Sequence, residues 1–273
     1  MDDNTNYFET NKSTWNKKVA IHVKSEMYNM EGFKSGETSL KPYELKALGD
    51  VSGKSLLHLQ CHFGQDTLSW SRLGAKCMAV DLSDEAIKLA TKLNEELELD
   101  AEFVCCNVLE TSKHVAKTFD IVFTSYGSIG WLPDLKPWAK MIFERLKPGG
   151  VFYIVEFHPI LWMFDYNEGN PEMKYHYNQK EVIYDEYDGT YADQSSKMVS
   201  KEYGWNHGLS DVVNALIEAG LQIEYLNEHD ESPYDVFPDL IKTEDGMYRM
   251  ENQLFPMIFE VKANKKYKTA KKI

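Results

Sequence analysis

A chain of 273 residues is long enough for one large α/β domain, or for one domain with a sizeable insertion. Its 43% hydrophobic and 27% charged residues are the composition of a globular protein with a real core, and no apolar run approaches the roughly 18 residues of a membrane span. The net charge of −13 disfavours nucleic acid and anionic membranes as partners, and residues 1–20, which hold Asp2 and Asp3 and no apolar stretch, do not read as a secretory leader, so a cytoplasmic protein is expected.

The first 50 residues read as one or two helices with a Gly-containing loop, an N-terminal helical cap before a domain spanning 51–273. Lys54 to Leu59 is a short apolar strand, and Asp66 to Leu73 a helix closed by Gly74. A second strand runs from Lys76 to Val80. Ser83 then caps a helix whose apolar face is Ala86, Ile87, Leu89, Ala90, Leu93 and Leu97. Ala101 to Cys105 and Phe119 to Thr124 are the third and fourth strands, Asp134 to Leu146 a helix stopped by Pro148-Gly149-Gly150, and Val151 to Phe157 the fifth strand. This alternation implies parallel strands with right-handed crossovers in a doubly wound α/β sheet.

The rhythm breaks after Pro159. A Tyr-rich, polar insertion at about 159–205 alternates around Asp188-Gly189 as a β-hairpin would. Regularity returns with a helix over Ser210 to Ala219 and two final strands, Leu221 to Leu226 and Pro256 to Ala263. The lysines at 262, 265, 266, 268, 271 and 272 read as a solvated, frayed terminus. The four cysteines, Cys61, Cys77, Cys105 and Cys106, lack metal or disulfide spacing and read as small core residues. The eight histidines form no HExxH or HxH pattern, so no metal site is expected.

In such a sheet, ligands bind beyond the carboxyl ends of the strands where strand order reverses. Three features collect there. The turn Gln60-Cys61-His62-Phe63-Gly64-Gln65-Asp66 brings a glycine and backbone N–H groups to a helix start. Asp81, ending the second strand, can accept both hydroxyls of a ribose. Asn107, after the third, can accept from an adenine amino group, with Leu82 and Val108 as apolar faces. Helix entry is the alternative for Asp81, a turn role for Asn107, and packing for Gly64.

The stretch LHLQCHFGQDTLSWSRLGAKCMAVDLS, followed by FDIVFTSYGSIGWLPDL, LKPGG and EFHP, resembles class I S-adenosylmethionine (SAM)-dependent methyltransferases, and within them a bacterial subgroup with LHLQCHFG in place of LDLGCGxG. The resemblance covers roughly residues 10 to 230. It implies a Rossmann-like seven-stranded sheet of order 3-2-1-4-5-7-6 with the last strand antiparallel. It also implies that Gln60, Cys61, His62 and Gly64 hold the methionine end of SAM, Asp81 the ribose and Asn107 the adenine. Thr124, Ser125 and Tyr126 would line the methyl-transfer site. His58, Gln60, His62 and Asn107 depart from the family's usual acid, two glycines and Asp.

The reaction so implied is in-line displacement of a methyl group from SAM onto a small-molecule acceptor. Alignment and desolvation supply most of such catalysis, and a base is required only if the acceptor must lose a proton. His158, after the fifth strand, and Tyr126 are the candidate catalytic groups, and Trp131 and His207 candidate substrate contacts. Structural hydrogen bonding is the alternative for His158, capping for His207 and core packing for Trp131. Trp15, His22 and Tyr28 would close over SAM, and the Tyr-rich insertion would cover the acceptor or form a homodimer surface. The rivals are a nicotinamide-dependent oxidoreductase, which the absence of GxGxxG disfavours, and a non-catalytic SAM-binding module.

Overall fold

The computed structural model describes residues 6–165, 172–235, 237–252 and 254–267. Seven strands make the central sheet: β1 (Ser55–Leu59), β2 (Lys76–Asp81), β3 (Glu102–Cys105), β4 (Phe119–Ser125), β5 (Leu146–Phe157), β6 (Gln222–His229) and β7 (Ile258–Asn264). Their order is β3-β2-β1-β4-β5-β7-β6, and β7 runs antiparallel to both of its neighbours, as expected. Among the described residues eight α-helices accompany them: α1 (Tyr7–His22), α2 (Met30–Lys34), α3 (Pro42–Leu48), α4 (Gln65–Arg72), α5 (Asp84–Glu96), α6 (Thr111–His114), α7 (Leu135–Arg145) and α8 (Leu209–Glu218).

The local chemistry explains these elements. β1 is buried on both faces, which is why SLLHL reads as a continuous apolar run rather than an alternating one. Ser83 accepts the Ala86 N–H at 3.0 Å to start α5, with Asp84 and Glu85 in its positive first turn. Asp134 starts α7 through the Lys136 N–H at 2.9 Å. One face of the sheet buries Leu57, Leu59, Val122, Ile154 and Phe259 against Trp138 and Ile142 of α7 and Leu216 of α8. The other buries Leu56, Phe123, Tyr153 and Val155 against Trp70 of α4. Each such large side chain contributes about 1.5–3 kcal/mol on leaving water.

Four expectations change. β5 begins at Leu146, not Val151: Leu146 pairs with Phe119, a register shift follows, and Pro148-Gly149-Gly150 lies within the strand. A Cβ on Gly150 would stand 3.0 Å from the carbonyl oxygens of Phe119 and Lys147, so the close approach demands glycine. The hairpin exists, but its strands are Ile183–Asp188 and Val199–Gly204, joined by residues 189–198 rather than by a tight Asp-Gly turn. A small antiparallel sheet of Glu231–Ser232, Leu240–Lys242 and Tyr248–Met250 stands between β6 and β7, unforeseen because its strands are too short for a period. Lys262 and Lys265 are not frayed: Lys262 Nζ donates to Ala47 O at 3.0 Å, and Lys265 Nζ to Phe143 O at 2.7 Å and Leu146 O at 2.8 Å. Lys268, Lys271 and Lys272 lie outside the described residues, as do 166–171 of the insertion.

Helix α1 docks on the hairpin in an unusual way. The Asn11 side chain donates to Tyr203 O at 2.8 Å and accepts from Tyr203 N–H at 2.9 Å, and Thr14 Oγ1 donates to Lys201 O at 2.7 Å. Side chains of a helix thereby take the place of a neighbouring strand along Val199–Gly204. Asn16 and Lys12 tie the other side of α1 to Ser83 and Asp84 at the start of α5. No helix among the described residues is long and apolar enough to cross a membrane.

Candidate functional site

Strand order reverses between β1 and β4, and there the strand ends open into a cavity of about 1210 Å³. That exceeds the roughly 300–1,000 Å³ of common small-molecule pockets, so the space can hold two ligands side by side.

The turn after β1 forms the floor. Gln60, His62 and Gly64 all take positive φ, at 57°, 50° and 81°. Only Gly64 does so without strain, and it also packs tightly: a Cβ there would lie 2.7 Å from the Phe103 ring and 3.0 Å from Ala90 Cβ. The conformation turns the His62 N–H onto Asp81 Oδ2 at 2.8 Å, while Asp81 Oδ1 accepts the Ser83 N–H at 2.8 Å. Burial pushes the Asp81 carboxyl up to about 6, against the pull of these backbone bonds. Gln60 Nε2 donates to Ser128 O at 2.7 Å, whereas its Oε1 finds no partner among the described residues, and neither does His62 Nδ1.

Carboxylates hold the wall over β4 and β5. Buried Glu156 accepts the N–H groups of Gly127, Ser128, Ile129 and Phe157 and the Ser128 hydroxyl, so the loop after β4 folds around one side chain. Asp66 accepts the hydroxyls of Ser39 at 2.6 Å and Ser125 at 3.1 Å, joining the N-terminal segment to the sheet. Glu44 of α3 accepts the Tyr126 hydroxyl at 3.1 Å and the Lys41 N–H at 2.8 Å, and burial, helped by the Asp66 charge, pushes its carboxyl up to about 8.

The roof is α1 and the hairpin. Lys18, 1% exposed, is ion-paired to Glu202 and donates to the Tyr187 hydroxyl at 3.1 Å. Its ammonium lies 4.9 Å from the Trp15 ring, 5.5 Å from Tyr191, 5.7 Å from Tyr187 and 6.0 Å from Trp131. His22 Nδ1 meets His62 Nε2 at 3.1 Å, joining roof to floor, and burial holds both rings neutral, His22 down to about 3.

Of the residues singled out from the sequence, Gln60, Cys61, His62, Gly64, Asp81, Leu82, Asn107, Val108, Ser125, Tyr126, Trp131 and His207 all line this cavity. Asn107 Oδ1 is occupied by the Leu109 N–H at 3.0 Å. Trp131 Nε1 is fixed on Gly127 O at 2.6 Å, and His207 Nε2 on Leu132 O at 2.7 Å. Two expectations are corrected. Thr124 is fully buried in the sheet, its hydroxyl donating to Leu59 O at 3.2 Å, and does not reach the cavity. His158 is not among the lining residues either: Nδ1 accepts the Ile160 N–H at 3.2 Å and Nε2 meets Glu228 at 2.8 Å, contacts of the hydrogen-bonding kind weighed beside the catalytic reading. Glu44, Lys18 and Glu202 went unread, and Asp66 was named only as part of the turn, with no role for its carboxylate. Asp66 stands inside the QCHFGQD turn and could have been found there, while Lys18 belongs to a helix with no apolar face to mark it. Among the described residues no cluster of three or more His, Cys, Asp or Glu could hold a metal.

The profile of the methyltransferase domain family matches residues 57–154, the segment from β1 into β5. Demethylmenaquinone methyltransferase of Lactococcus lactis is 34% identical over 43% of this chain and 48% of its own length. The mitochondrial ubiquinone biosynthesis O-methyltransferase of Bos taurus is 32% identical over 38% of this chain and 29% of its own. The chain thus spans half or less of these curated relatives. Among solved structures, an S-adenosylmethionine-dependent methyltransferase from Clostridium acetobutylicum superposes with a TM-score of 0.60 at 16% identity, covering 93% of this chain and 99% of that one. One from Mesorhizobium loti gives 0.54 at 18% identity, covering 85% and 99%. At these identities the likeness establishes the fold.

Proposed function

We propose that this chain is a SAM-dependent methyltransferase of the LHLQCHFG subgroup, a cytoplasmic enzyme taking SAM and a small-molecule acceptor into one cavity. The observation that carries the reading is the meeting of the first turn with the end of β2: His62 N–H reaches Asp81 Oδ2 at 2.8 Å, and both residues line the same space.

The wall fits the cofactor. The Asp81 carboxylate accepts the His62 and Ser83 N–H groups and meets no cationic partner among the described residues, which leaves lone pairs for a pair of ribose hydroxyls. Gln60 Oε1, buried and without a donor among the described residues, suits the ammonium of a methionyl group. Leu82 and Val108 offer apolar faces for a purine, with Asn107 at its edge. His58, where the family carries an acid, is kept neutral by burial, down to about 4, and contacts Thr67 Oγ1 at 2.8 Å, so the cofactor's amine depends here on Gln60.

When bound, SAM supplies a methyl group already activated on a sulfonium. The chain's own part is alignment and exclusion of water. Glu156 fixes the Gly127–Ile129 loop, Glu44 and Asp66 fix Tyr126 and Ser125, and Trp131 is locked on Gly127 O. Trp15, Trp131, Tyr187 and Tyr191 dry the roof around Lys18. Tyr126, rather than His158, stands at the reaction end, its hydroxyl donating to Glu44 Oε2 at 3.1 Å and kept protonated by burial. The insertion serves as the acceptor cover.

S-adenosylhomocysteine (SAH) should raise the melting temperature, by a stabilisation of about 2.7 kcal/mol at a hundred times its Kd, while NAD leaves it unchanged. A shift with NAD and none with SAH would overturn the reading. Binding of SAH without methyl release on any member of a metabolite panel would reduce the chain to a SAM-binding module.

A further inference from the structure

The two halves of the cavity differ in what they can bind. Over β4 and β5 the wall is built from rings and carboxylates. Tyr126 meets Tyr234 edge-on with ring centroids 5.0 Å apart, and Phe157 meets Phe237 at 5.5 Å and Trp162 at 6.0 Å. Asp185 and Glu202 face each other across the hairpin that roofs this half. Among the described residues the only lysines on the cavity wall are Lys18 and Lys41, and no arginine joins them. Both are engaged: Lys18 with Glu202, and Lys41 over the Tyr234 ring at 4.8 Å. Burial holds His58, His62 and His207 neutral. An anionic ligand here would be desolvated beside carboxylates with no free cation to meet it.

A second observation concerns Asn206, 1% exposed on the same wall. Its Nδ2 donates to Pro159 O at 3.0 Å and His176 O at 3.2 Å, which fixes the amide orientation. Oδ1 is then left buried without a donor among the described residues. Asp185 lines the same cavity, where Tyr175 donates to its Oδ1 at 3.4 Å. The cavity lining therefore includes an amide carbonyl oxygen without a donor among the described residues, a carboxylate and aromatic faces, and both of its lysines are engaged. Lys18 shows how this kind of surface receives an ammonium, with a carboxylate, a phenol and four rings around it.

We infer that this half of the cavity is a subsite for an aromatic-sized small molecule carrying an ammonium group, received by Asp185 and the aromatic faces, with Asn206 Oδ1 as a further acceptor on the same lining. The inference rests on the proposed function in taking that molecule as the methyl acceptor. It separates this chain from an enzyme that takes a phenolate or carboxylate.

The test uses the full chain saturated with SAH at pH 7 and three probes of one shape, tryptamine, tryptophol and indole-3-propionate, titrated calorimetrically. Tryptamine should bind at least about tenfold more tightly than indole-3-propionate, with tryptophol between them. Asp185→Asn should remove most of that gap, and Asp185→Glu should keep it, with the SAH Kd unchanged in both. Equal or tighter binding of indole-3-propionate, no binding of tryptamine, or a gap that survives Asp185→Asn would each overturn the inference. The SAH titration is done first. Its failure would defeat the methyltransferase reading, whereas normal SAH binding without charge preference would defeat only the subsite.

Discussion

Floor and roof of the cavity are held by different physics. The floor is made of neighbours in sequence: Gln60 to Asp66 and Asp81 to Ser83 are positioned by backbone hydrogen bonds at the ends of two adjacent parallel strands. The roof is made of strangers: Lys18 and Glu202, 184 residues apart (202 − 18), meet as a buried ion pair inside an aromatic box. A floor of this kind persists as long as the sheet does. A roof of this kind depends on a few side chains whose desolvation must be offset by each other.

The largest expected effect tests the roof. Lys18→Met leaves Glu202 buried without its cation and should destabilise the fold by about 3–5 kcal/mol in urea unfolding, while adding Glu202→Leu should recover most of the loss. A single-variant loss below about 1 kcal/mol would show that the pair does not hold the roof. Next comes the floor. Asp81→Asn, which loses charged acceptance from His62 and from ligand hydroxyls, should weaken SAH binding about tenfold to a hundredfold with little change in melting temperature. An unaltered SAH isotherm would remove Asp81 from the site.

Glu44 sharpens the comparison through pH. Its folded carboxyl sits at about 8 against an ordinary 4.5, so the native state holds a proton that the unfolded chain has released. The contribution to stability is full below about pH 4.5 and is lost as pH rises toward about 8. Glu44→Gln should flatten that decline, and urea midpoints from pH 5 to 8 falling equally in both proteins would refute it. The smallest effect belongs to His158→Gln. Because the ring is off the cavity, SAH affinity should stay within about twofold, and a larger change would return His158 to the site.

Much of this was legible in the sequence, for a physical reason. Strands such as SLLHL and FDIVFTS are buried on both faces and stand out as unbroken apolar runs, and Ser83 and Asp134 mark helix starts by their chemistry. Gln60, His62 and Asp81 were readable because a turn and a strand end are local objects. Thr124 misled because adjacent strand residues point to opposite sides, so its neighbour Ser125 reaches the cavity while it does not. His158 misled because only the fold brings Glu228 against it. Lys18 had no signal at all: α1 has no apolar stripe, and one lysine among many polar residues gives no sign of a partner on a distant hairpin.

The contact of α1 with the hairpin has a consequence outside the site. A strand with one bare side invites another chain to zip onto it, and proteins hide such sides in various ways. Here the amide of Asn11 and the hydroxyl of Thr14 occupy the exposed hydrogen-bonding row of Val199–Gly204. The N-terminal helix is therefore also a guard against unwanted self-association. Shortening the chain past His22 would uncover that row and leave a template on which copies can stack.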